Sequence, residues 1–83
     1  MQNTTVGVVL TDARLTKNDC YLLAQSGHTG LARTIHPAHS RYDGDAMVAL
    51  ATGQSPAPAD LDLLRAAATE VVATAVRAAV GPV

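Results

Sequence analysis

The chain has 83 residues, 48% of them apolar, with a formal net charge of -1. That length excludes more than one small domain, and the balance of apolar to charged residues excludes the pattern of intrinsic disorder. Six scattered basic residues and two tyrosines exclude a nucleic-acid surface, and the most apolar stretch, residues 66–80, is too short and too interrupted by polar groups to span a membrane.

Residues 4–11 are rich in β-branched side chains and almost continuously apolar, which predicts a strand covered on both faces. Residues 12–15 turn the chain. Thr16 then offers an N-cap hydroxyl, with acidic Asp19 in the first turn, so a helix is expected to follow. Cys20, Leu23, Ala24, Gly27, Leu31 and Ile35 recur at spacings of three and four and form its buried stripe, while Gly27 and Gly30 admit a close neighbour. Pro37 ends this helix near Ile35, leaving residues 36–42 as a loop. Asp43, Gly44 and Asp45 supply turn chemistry ahead of a second apolar strand over residues 46–52, closed by Gly53. A stiff connector over residues 54–58 leads to a long alanine- and leucine-rich helix over residues 59–79, stopped by Gly81 and Pro82.

The expected order is therefore β-α-β-α, an α/β arrangement with only two strands. Two strands are marginal alone, and one covered on both faces needs partners that this chain does not carry. Either the chain oligomerises, or it is one piece of a larger sheet whose other strands come from a different segment.

Asn3, Thr4 and Thr5 stand directly ahead of the first strand. Threonine commonly opens strands, which is one reading. The other is a latent N-terminal nucleophile. Cleavage between Asn3 and Thr4 would free an α-amine of pKa about 7.7–8.0, a base for the hydroxyl of the same residue. While Met1, Gln2 and Asn3 remain attached, Thr4 has no such amine. Asp43 and Asp45 are open to two readings as well, an ordinary solvated turn or a carboxylate pair that would titrate together.

Four stretches of this sequence, residues 3–13 (NTTVGVVLTDA), 30–39 (GLARTIHPAH), 42–45 (YDGD) and 49–53 (ALATG), together resemble the β-segment of the L-aminopeptidase/D-esterase family. That family includes the nylon-oligomer (6-aminohexanoate oligomer) endohydrolases. The resemblance implies a precursor that cuts itself into a larger α-segment and a small β-segment beginning at the nucleophile. By that resemblance the cut in this chain would fall between Asn3 and Thr4, with residues 1–3 as residual propeptide and residues 4–83 as the β-subunit. It implies a four-layer α/β/β/α sandwich completed by the separate α-segment, a hetero-oligomer of α- and β-segments, and Asp43 and Asp45 as groups that orient and polarise Thr4. The expected chemistry is hydrolysis of a peptide or peptide-like amide by acyl transfer to Thr4, without a cofactor. At Gly27, His28 and Thr29 the sequence departs from the Ala-His-Asp run that relatives more often carry.

His28, His36 and His39, with the two aspartates, raise a metal site as another reading. Their spacing is not the helical arrangement of zinc hydrolases, so no metal is expected. Cys20 reads as a small core residue, and as the only cysteine it excludes an internal disulfide. With no export-signal pattern, the expected setting is reducing and cytoplasmic. A different class of function stays open, a truncated or split product that serves as a non-catalytic structural subunit.

Overall fold

A computed structural model of the chain describes residues 4–34 and 44–80. The elements follow in the order β1 (Thr4–Thr11), α1 (Lys17–Thr34), β2 (Gly44–Ala51) and α2 (Leu61–Val80), which is the expected β-α-β-α sequence. β1 and β2 pair in parallel as a two-stranded sheet, in unbroken register from Thr4 opposite Gly44 to Thr11 opposite Ala51. A parallel pair needs a crossover connection, and α1 supplies it.

The first helix starts where its capping chemistry dictates. The Asp19 amide donates to Thr16 Oγ1 at 3.0 Å, and the Thr16 amide donates to Asp19 Oδ2 at 3.2 Å. This reciprocal pair is a capping box with Asp in place of Glu, and it satisfies two backbone donors that would otherwise lack partners. The second helix has an equivalent start that the sequence reading placed two residues early. Asp60 accepts from the Leu63 amide at 3.1 Å through Oδ1 and from the Leu64 amide at 3.0 Å through its carbonyl, so α2 begins at Leu61.

The buried set on α1 is Leu23, Ser26, Gly27, Gly30 and Leu31. Leu23, Gly27 and Leu31 belong to the expected stripe, while Cys20 and Ala24 are only half-buried and Ile35 lies outside the described residues. Ser26 and Gly30 widen the stripe because α1 is packed on two sides. A Cβ at Gly27 would meet Val9 and Met47 of the sheet, at 3.0 and 3.2 Å, whereas one at Gly30 would meet the Thr69 carbonyl and Val72 of α2. Leu23 and Leu31, each 1% exposed, anchor this layer, and burial of each contributes about 1.5–3 kcal/mol. Two polar links lock the helix pair: Arg65 Nε donates to Ser26 Oγ at 2.8 Å, and Thr69 Oγ1 donates to the Ser26 carbonyl at 2.9 Å.

Two expectations need correction. Gly44 and Asp45, assigned to a turn, are the first two residues of β2, because Thr4 and Thr5 of β1 pair with them and extend the ladder. Among the described residues, the strand β1 is covered on one face only. Helix α1 packs on the sheet and α2 packs on α1, while Val6, Val8 and Leu10 are 68%, 60% and 69% exposed. Val48 and Leu50 of β2 continue that bare apolar face.

Candidate functional site

Parallel pairing decides where the candidate residues meet. Both strands run the same way, so their amino ends lie together, and Thr4, the first residue of β1, is in register with Gly44, the first residue of β2. Adjacent strands are about 4.8 Å apart. Thr5 is opposite Asp45. Asp45 is thus a diagonal, not a direct, cross-strand neighbour of Thr4, and Gly44 puts no side chain between the two chains at the Thr4 position. The offset of 40 residues between partners (44 − 4 at one end, 51 − 11 at the other) holds along the whole ladder, so a slip by one residue would either put Asp45 directly opposite Thr4 or move it one position further away. Asn3 and Asp43 lie outside the described residues, as do His36, His39 and Tyr42.

The opposite end of the sheet is closed by hydrogen bonds. The Thr52 amide donates to the Thr11 carbonyl at 3.0 Å, the Gly53 amide to the Ala13 carbonyl at 3.2 Å, and the Ser55 amide to the Asp12 carbonyl at 2.9 Å. Gly53 sits at a φ of 72°, a left-handed conformation that glycine adopts at little cost, and this lets residues 52–55 turn back alongside residues 11–13. Ligand sites in open parallel sheets usually lie beyond the carboxyl ends of the strands. Here those ends are tied together, and the candidate chemistry sits at the amino ends.

Beside β1 runs an apolar cleft of about 330 Å³, bounded on one side by Thr5, Gly7 and Val8 and on the other by Val72, Val76 and Ala79 of α2. His28, the remaining histidine of the three considered as metal ligands, is half-buried on α1 beside Tyr21, Gln25 and Met47, remote in the chain from both strand starts. Among the described residues, no group of three or more His, Cys, Asp or Glu side chains gathers where a metal could be held. Among the same residues, no helix is long and apolar enough to cross a membrane.

Residues 1–81 match the model of Peptidase family S58. The chain belongs to that family. It is 52% identical over 61 residues to a Mycobacterium leprae protein named as an uncharacterized aminopeptidase, an overlap of 74% of this chain and 17% of that protein. It is 46% identical over 78 residues to like-named proteins of Mycobacterium bovis and Mycobacterium tuberculosis, covering 93% of this chain and 23% of each relative. This S58 chain therefore spans no more than about a quarter of the length of the relatives it matches. No solved structure matches it.

Some features escaped the reading of the sequence. The Asp60 cap was legible in principle, since an aspartate three residues ahead of Leu63 follows the ordinary N-cap pattern. The Ser26, Arg65 and Thr69 links were not, because they join positions about 40 residues apart that only the packing of α1 on α2 brings together.

Proposed function

We propose that this S58 chain is the nucleophile-bearing segment of a self-processing amide hydrolase, an aminopeptidase or a hydrolase of peptide-like oligomers, with Thr4 as its N-terminal nucleophile. The observation that carries the reading is the parallel register, in which the strand opened by Thr4 starts level with Gly44 of the Asp43, Gly44, Asp45 run. Membership of a peptidase family and similarity to proteins named as aminopeptidases support it.

In the reaction, the Thr4 hydroxyl oxygen attacks the amide carbonyl carbon while its own α-amine takes the hydroxyl proton. The amine returns that proton to the leaving nitrogen as the C–N bond breaks, leaving an ester on Thr4. Water, deprotonated by the same amine, hydrolyses the ester and frees the acid. Asp43 and Asp45 act by holding the ammonium and hydroxyl of Thr4 in place. Maturation uses the same oxygen: Thr4 attacks the Asn3 carbonyl, the acyl group shifts from nitrogen to oxygen, and hydrolysis of that ester releases Met1, Gln2 and Asn3.

The partner is a larger α-segment, which completes a four-layer sandwich and supplies the oxyanion and substrate pockets. The substrate is a peptide or a peptide-like amide, nylon-type oligomers included, and the setting is cytoplasmic. A second reading, a non-catalytic structural subunit, has the bare apolar sheet face behind it.

Intact mass and hydrolysis of amino-acid amides separate the two. The hydrolase reading expects loss of residues 1–3 when the chain is produced with the remainder of the protein, and loss of both cutting and turnover in Thr4→Ala. An uncut chain whose associated activity is the same in Thr4→Ala rules it out.

A further inference from the structure

Met47 of β2 stands directly opposite Gly7 of β1 in the ladder. Its side chain leans across the sheet, since a Cβ at Gly7 would meet Met47 Cε at 2.7 Å and Sδ at 3.0 Å. A Cβ at Gly27 of α1 would meet the same sulfur at 3.4 Å and Met47 Cγ at 3.2 Å. The thioether is therefore a wedge between two glycines, one on the sheet and one on the helix. It matters most to the contact between α1 and β1, because α1 lies mainly over β2 and only lightly over β1. Met47 is half-buried and borders two openings. One is the cleft beside β1, and the other is a hollow of about 250 Å³ lined by Tyr21, Ala24, Gln25 and His28. A flexible apolar side chain suits an irregular gap, but leucine would fill nearly the same volume. What methionine adds is a sulfur lone pair, here on a residue that lines two cavities.

We propose that Met47 is a site of reversible oxidation by peroxides, and that its sulfoxide withdraws the wedge and loosens α1 from β1. The sulfur lone pair attacks one peroxide oxygen, so that an S–O bond forms as the O–O bond breaks. The sulfur is oxidised by two electrons, and the leaving oxygen takes up the hydroxyl proton and departs as water, or as an alcohol from an organic peroxide. The sulfoxide is polar and larger than the thioether, while both glycines already stand at contact distance. Its oxygen meets donors or water by turning toward one of the openings, which takes the tip of the side chain out of the space over Gly7. A cavity is left between α1 and β1. Methionine sulfoxide reductases restore the thioether and with it the packing. The proposal does not depend on the hydrolase reading. It puts an oxidant-sensitive group three residues along each strand from Thr4 and Gly44 (7 − 4 and 47 − 44).

The 83-residue chain is tested with Cys20→Ser, which removes its only thiol. Hydrogen peroxide is added with N-acetylmethionine as a reference, and peptide mapping by mass spectrometry follows each of the two methionines. Met47 should gain one oxygen at a rate within about tenfold of the reference. The chain oxidised at Met47 should melt at least about 4 °C lower by circular dichroism. Methionine sulfoxide reductases A and B with a thiol reductant should return the melting temperature in step with reduction of the Met47 peptide, not of the amino-terminal one. Met47→Leu, which keeps the volume without the sulfur, should show no peroxide-dependent fall. Where that variant does not fold, the reductase reversal makes the same discrimination. A slower reaction at Met47 means a sulfur sealed in the core and overturns the proposal. So does an unchanged melting temperature at full Met47 oxidation, or an equal fall in Met47→Leu.

Discussion

Replacing Gly30 by alanine gives the sharpest test of how the two helices are held. On an open helix surface the change stabilises by about 1 kcal/mol, because glycine costs more backbone entropy than alanine. At this position the new methyl would run into the Thr69 carbonyl of α2 and come within 3.2 Å of Val72 Cβ. The Thr69 carbonyl is backbone in the middle of a helix of 20 residues, so it cannot swing aside as a side chain would, and α2 must retreat as a body. A retreat of about 1 Å forfeits up to about half of the dispersion attraction across the interface. It also loosens the cover over Leu31, Ala68, Val72 and Ala73, all buried now. Overpacking costs about 1–3 kcal/mol, and against rigid backbone such as the Thr69 carbonyl it falls in the upper part of that range, about 2–3 kcal/mol, of which the helix-propensity gain offsets about 1. The expected net effect is a loss of about 1–2 kcal/mol, which for a chain of this size lowers the melting temperature by roughly 4–16 °C. Thermal unfolding followed by far-ultraviolet circular dichroism measures it, with wild type and variant in the same state of assembly. A melting temperature that rises in Gly30→Ala would show that no close crossing exists there.

Three further outcomes follow from the same geometry. Thr16→Ala should cost about 1 kcal/mol, and adding Asp19→Ala should cost less than the two separate losses summed, because each side chain completes the other's half of one cap; urea unfolding of the single and double variants reads this. Glu70→Gln should change the urea midpoint very little, since the Arg33–Glu70 pair, at 3.5 Å, has both side chains more than half exposed; a loss above about 1 kcal/mol would contradict that assignment. Asp45→Asn in the assembled protein should lower kcat by about tenfold or more while leaving the melting temperature within a few degrees, and an unchanged kcat would remove Asp45 from the site.

The order of elements was legible because each signal in the sequence is local. Thr16 with Asp19, the three- and four-residue spacings from Leu23 to Leu31, and the β-branched run of β1 each act within a few residues. The start of β2 was misplaced because Gly44 and Asp45 have the composition of a turn, and only their pairing with Thr4 and Thr5, 40 residues away, makes them strand. For the same reason the residues by themselves nominate Thr4 and the Asp43 to Asp45 run separately, and only the family resemblance links them. That Thr4 starts level with Gly44, one residue from Asp45, is a property of parallel pairing. The expectation that β1 is covered on both faces came from its almost continuous apolar run, and the exposed row of Val6, Val8 and Leu10 is where the described residues leave it unmet.

The parallel register also governs timing. Pairing Thr4 with Gly44 closes a loop of 40 residues, and the entropy of that closure must be met before the ladder returns any stabilisation. Helix α1 can form early from local contacts, whereas the amino ends of the two strands meet only when the crossover has closed. Any chemistry that needs Thr4 beside the Asp45 strand is therefore silent in a nascent or partly folded chain. It switches on as a late event, so release of residues 1–3 would report that the crossover had folded in the right register.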